Sequence, residues 1–208
     1  MGRSEQGAGQ VTTHGPDLTA VALAVGEPYA DQVLDGGAEV EPVAVAGITE
    51  TVVWRVRGES GPHPWQVYVG AWPDGSVRVL TGDQDAWADL VGSAGAHLAS
   101  VTTARRFVET YLEVTRGAMV IVRPVTSLDD LAWRPGSAEE ENAKAALLAD
   151  PPVTSPVVDS SDDGFHVELT LVVDQRLQRN EFDLTRAGEI TRSDFRVLAE
   201  HLPLPIAR

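Results

Sequence analysis

Phe165-His166-Val167-Glu168-Leu169-Thr170-Leu171-Val172-Val173 places an apolar side chain at every odd position over nine residues. A period of two is that of a β-strand with one buried face. The next 25 or so residues extend the pattern. Asp174-Gln175-Arg176 has turn chemistry, residues 177–184 return with Phe182 and Leu184 on one face, Arg186-Ala187-Gly188 turns again, and residues 190–198 supply a third strand. The C-terminal third therefore reads as a meander of antiparallel strands.

A second meander lies upstream. Over residues 50–58, Val52, Trp54 and Val56 alternate with Val53, Arg55 and Arg57. One face is apolar and the other carries arginines. The Gly58-Glu59-Ser60-Gly61-Pro62 run breaks that strand, Trp65, Val67 and Val69 alternate in the next, and Pro73-Asp74-Gly75 turns into a return strand at 76–80.

Helical spacing fills the middle. Asp83 stands at an N-cap position before Trp87, Leu90 and Val91, and Gly92 and Gly95 end or weaken that helix. Residues 103–116 give the clearest amphipathic pattern, with Phe107, Val108, Tyr111 and Leu112 on one face and Arg105, Arg106, Glu109 and Glu113 mostly on the other. A strand is expected at 118–123 and a short helix after Ser127. Ser137-Ala138-Glu139-Glu140 is a capping box starting a helix that Pro151-Pro152 stops. Two weaker helical segments precede everything, at 18–25 and 29–34.

Strands occur in runs and do not alternate with helices, so the expected class is α+β: a mainly antiparallel sheet of about six to seven strands with two to four helices packed on one face. Residues 1–16 have no periodicity and read as a disordered tail, leaving 17–208 as a single domain. Helices combined with a curved antiparallel sheet are loosely similar to the cone-shaped folds of the nuclear-transport-factor-like group. That group usually begins with helices and this chain with three strands, so the likeness covers architecture and transfers no residue.

Composition narrows the chemistry. The chain has 208 residues, no cysteine and a formal net charge of −15. Thiol redox chemistry and thiolate metal sites are excluded, and the charge disfavours nucleic acid and anionic membranes as partners. The early apolar run at 18–25 is too short for a membrane span, and a cytoplasmic protein is expected. All but Lys144 of the 16 basic residues are arginine. No P-loop, GxGxxG, GxSxG, SxxK or HExxH pattern occurs. Asp83-Gln84-Asp85 with Asp89 fails the calcium-loop pattern, because Ala88 and Ala94 stand where Gly and Glu are needed. No cofactor and no metal site is expected.

Two sets of residues remain as candidates. His166 and Glu168 share a strand face, with Cα atoms about 7 Å apart, and would form a general acid–base pair; a solvated sheet face is the blander account. His63, between Pro62 and Pro64, adjoins Trp65; with Trp54 and Trp72 it suggests a Trp-lined pocket, and Arg55 and Arg57 suggest a basic strip on the opposite sheet face. Core filling and cross-strand pairing with Glu50 or Glu59 are the competing accounts. Two functions follow. The first is a non-catalytic binding or accessory protein holding a protein or a small apolar ligand on a sheet face or in a Trp-lined pocket. The second is a small metal-independent isomerase, cyclase or hydrolase. A second copy of the chain is a further candidate partner.

Overall fold

The computed structural model describes residues 15–204 except 51, 61–62, 119 and 153–154, and most of the expected N-terminal tail lies outside them. The elements run α1 (Leu18–Val25), α2 (Ala30–Leu34), β1 (Glu39–Val43), β2 (Val53–Ser60), β3 (His63–Ala71), β4 (Val77–Val79), α3 (Gln84–Ala94), α4 (Val101–Thr115) and β5 (Val122–Pro124), and continue with α5 (Ala138–Ala149), β6 (Val157–Ser160), β7 (Gly164–Val173), β8 (Arg176–Thr185) and β9 (Ile190–Ala199). A single 3-10 turn, Leu128–Asp130, precedes α5.

The class is α+β with antiparallel pairing throughout. The strands are nine among the described residues and fall into two sheets, β1-β2-β3-β4 and β5-β7-β8-β9 with β6 also on β7. The two meanders stay separate because helices come between them. The helices are also not confined to one face. On one side of the first sheet, Val21, Ala22 and Val33 of α1 and α2 cover Trp54, Val56, Trp65 and Val69. On the other side, α3 and α4 fill the space between the sheets: Trp87, Leu90, Phe107 and Tyr111 pack with Val53 of the first sheet, with Leu80 just after β4, and with Phe165, Val167 and Phe182 of the second sheet. Gly70 permits the close approach of α3, since a Cβ there would stand 2.7 Å from Leu90 Cδ2. The far face of the second sheet is partly covered by α5 and the C-terminal segment, through Leu147, Leu202 and Leu204 on Val172 and Leu177.

Local signals act as their chemistry demands. Asp83 Oδ1 accepts from Ala86 N–H, and α4, capped by Ser100, starts at Val101, two residues before the expected start. The Ser137–Glu140 box forms in both directions. Gly92 does not end α3; the helix continues to Ala94 and stops at Gly95, whose φ of 66° is left-handed. Two strands have no counterpart among the expected ones, β1 and β6. The strand expected just after α4 is shortened to Val122–Pro124.

Candidate functional site

The inner face of the first sheet changes character along its strands. Near α3 it is apolar. Toward the other end, two cross-strand rows are polar: Glu41–Arg55–Tyr68 and Glu39–Arg57–Gln66. Arg55 donates to the Glu41 carboxylate through Nε (3.1 Å) and Nη2, and Arg57 Nε donates to Glu39 at 2.7 Å. The guanidinium of Arg55 holds the Glu41 carboxyl below the usual carboxylate range. The expected basic strip is therefore a ladder of ion pairs, and its carboxylates come from β1 and not from Glu50 or Glu59. Arg78, in the Val53–Gly70 row of the same sheet face, pairs with Asp89 at 3.0 Å and lies over the Trp72 ring.

Tyr68 joins this ladder to α4. Its hydroxyl donates to Glu113 Oε1 at 2.5 Å and accepts from Gln66 Nε2 at 3.0 Å. Its residue exposure is 2%. Burial, then the Glu113 carboxylate, push the phenol up to about 12. Neither Tyr68 nor Glu113 stands out in the sequence, because residues 45 apart meet only through packing of α4 on the sheet.

The end of the sheet opens into a cleft of about 1370 Å³. Tyr29 and Trp65 form one wall, stacked with centroids 4.4 Å apart. Trp65 Nε1 donates to Gln32 Oε1 at 3.0 Å, and the indole lies against Gly58, where a Cβ would come within 2.8 Å of Nε1. Arg57, Glu59 and Tyr68 line the opposite side of the same strands, and Arg116 with Gly117 closes it. A second cleft of about 720 Å³, on the flank of α4, is also lined by Arg116 and by Glu113.

The strand along the first cleft has an unpaired edge. β4 is three residues long and pairs only with Val69, Gly70 and Ala71. Tyr68 is the last residue of β3 bonded on that side: its C=O accepts from Leu80 N–H at 2.8 Å and its N–H donates to Thr81 Oγ1 at 2.7 Å. Thr81 then leads away, with Gly82 N–H on Thr115 O. Amides alternate in direction along a strand, so the Gln66 N–H and C=O point the same way as those of Tyr68. They have no partner among the described residues.

The other expected site residues fall in different surroundings. His63 opens β3 opposite Ser60. Trp54 and Trp72 are buried, the first under α1 and α2, the second with Nε1 donating to Asp89 Oδ2 at 3.1 Å. His166 and Glu168 do share a face of β7, but they are partnered separately. His166 Nδ1 is 2.7 Å from Asp183 Oδ1 across the ladder, and Glu168 pairs with Arg179 at 3.1 Å. Both lie outside the two clefts. Among the described residues no cluster of three or more His, Asp or Glu is placed to hold a metal, and no helix is long and apolar enough to cross a membrane. No family model, curated protein or solved structure matches this chain.

Proposed function

We propose that the protein is a cytoplasmic, non-catalytic binding protein that holds an extended peptide segment of a partner protein along the open edge of β3. The observation carrying this reading is the unpaired Gln66 backbone beside a cleft too large and open for a typical small-ligand pocket of about 300–1,000 Å³. A peptide strand added there gains main-chain hydrogen bonds from Gln66, and its side chains alternate between two surfaces. One surface is apolar, from Trp65, Val67 and Tyr29; the other is polar, from Arg57, Glu59 and Arg116. The matching ligand alternates apolar and polar residues.

The acid–base alternative rests on His166 with Glu168, and these are partnered separately, by Asp183 and by Arg179, on a partly exposed sheet face outside both clefts. The binding reading therefore has the stronger geometric support.

Panning random-peptide libraries against the protein tests the reading. Binders should slow amide exchange at Gln66, and Gln66→Pro should abolish their binding while leaving the circular dichroism unchanged, since an outward-facing edge position tolerates proline. Binders indifferent to Gln66→Pro would overturn the assignment. So would a small molecule, in place of a peptide, held in the cleft when the protein is isolated from its own host.

A further inference from the structure

β9 is the outer strand of the second sheet and pairs only with β8. It is ten residues long, and its segment 191–197 is exposed on both faces. Phe195 is 58% exposed and Val197 36%. A long edge strand with exposed apolar side chains is a template for pairing with another chain.

The direction of its amides follows from the ladder. Thr185 N–H donates to Glu189 O, so the amides of 185, 183, 181 and 179 face β9. Their partners Arg192, Asp194 and Arg196 face inward in the β8–β9 ladder. Ser193, Phe195 and Val197 therefore turn their N–H and C=O away from β8. The Phe195 N–H agrees with this: it donates to the neighbouring Asp194 Oδ1 at 2.8 Å and not to β8. Between the irregularities at its two ends, the strand is regular from Arg192 to Val197.

The sequence of this edge is complementary to itself in the antiparallel register centred on Phe195; an axis at Ser193 also opposes Arg192 and Asp194, but it leaves Arg196 unpaired and runs into the irregularity before Arg192. With a two-fold axis at Phe195, Phe195 faces Phe195 of the second copy, Ser193 faces Val197, and Asp194 faces Arg196 twice. Moving the axis one residue back sets Asp194 against Asp194 and Arg192 against Arg196, and moving it one residue forward sets Arg196 against Arg196; like charges directly opposite are destabilising. Arg196 has no anionic partner among the described residues and lies opposite Arg179 in the β8 ladder. Asp194 of a second copy would supply that partner. We infer that β9 is a homodimerisation edge, joining two copies through an antiparallel β9–β9 ladder centred on Phe195, with five strands from each copy in one continuous sheet. Roughly six main-chain hydrogen bonds form in that register. The contact is at the small end of specific interfaces, so the dimer dissociates on dilution. It leaves the cleft beside β3 free, because that cleft is on the other sheet.

Sedimentation over a range of concentrations tests this directly. The wild-type chain should shift from one to two copies in the micromolar range. Asp194→Arg and Arg196→Asp should each remain monomeric, and the double variant should dimerise again, since it restores opposite charges across the axis. A wild-type chain that stays monomeric, or single variants that dimerise as well as wild type, would refute the assignment. A second readout does not depend on those variants folding. The chain has no cysteine, so Phe195→Cys introduces a sole thiol facing its own copy at a Cα separation of about 5.5 Å, which a disulfide spans. Mild oxidation should give a covalent dimer. Arg192→Cys should give none, because its self-distance in this register is about 20 Å. Equal cross-linking at both positions would overturn the register.

Discussion

At the scale of single residues, the hydrogen bond from the Tyr68 hydroxyl to Glu113 joins the first sheet to α4 through a buried phenol. A phenol with 2% exposure is costly to bury unless its hydroxyl is satisfied, and here it both donates and accepts. The raised phenol pKa has a defined consequence for stability. The folded state holds the proton more tightly than the unfolded chain, whose tyrosines titrate near 10, so the contribution is complete below about pH 10. It is lost as pH rises through about 12. Urea midpoints measured from pH 8 to pH 12 should fall over that upper interval in the wild type and fall less in Tyr68→Phe. At pH 8 the same substitution should cost about 1–2 kcal/mol, because Glu113 loses a charge-assisted donor. An unchanged midpoint at pH 8 would show that the Tyr68 hydroxyl contributes nothing. None of this was legible from the residues in order. Glu113 sits on the polar face of an amphipathic helix, the usual place for a solvated side chain, and only the docking of that helix on the first sheet makes it a partner.

At the scale of elements, what the sequence conveys depends on how strongly periodicity and caps compete with context. β7 is readable because its odd positions are all apolar and that face is buried from Phe165 to Leu171. The start of α5 is readable because Ser137 and Glu140 satisfy each other's backbone donors, a contact that needs nothing from the rest of the fold. β1 is not readable by the same rules. Glu39-Val40-Glu41-Pro42-Val43 contains a proline and two carboxylates, residues that individually disfavour strands. It is a strand because it lies at a sheet edge, where proline is tolerated, and because Glu39 and Glu41 face Arg57 and Arg55. Glu-Val-Glu alternation matched to Arg-Val-Arg alternation was the available signal. The merging of two meanders into one sheet was a natural expectation, and it fails because α3 and α4 are apolar on enough of their surface to serve both sheets at once. The capping argument can be tested on α5. Leu147 is its one buried residue among those described, so tertiary packing holds the helix weakly and the cap carries a larger share. Ser137→Ala should cost about 1 kcal/mol and speed amide exchange selectively within the helix. Uniform acceleration across the second sheet would instead mean that α5 is integral to the global core.

At the scale of the molecule, the question is whether the two sheets unfold together. They are separate as hydrogen-bonded structures, and sequence order divides them cleanly, so a two-step transition is the naive expectation. The packing between them argues otherwise. Trp87 of α3 lies 5.5 Å from Phe107 and 6.0 Å from Tyr111 of α4, and Tyr111 meets Phe182 of β8 edge-on at 6.1 Å. This aromatic chain runs from the helix seated on the first sheet to a central strand of the second. Phe107 is fully buried within it and reaches the turn at Gly188, where a Cβ would stand 3.2 Å from its Cζ. Neither sheet can expose its inner face without uncovering the same helices, and the penalty for doing so is shared. The prediction is a single cooperative transition, followed equally by tryptophan fluorescence, which reports mainly on the first sheet and α3, and by far-ultraviolet circular dichroism, which reports on both sheets. Phe107→Ala should lower the stability by about 3–5 kcal/mol through the cavity it opens and should shift both probes by the same amount. If the fluorescence transition moved while a separate dichroism step kept its midpoint, the sheets would be independent folding units, and the middle helices would belong to one of them alone.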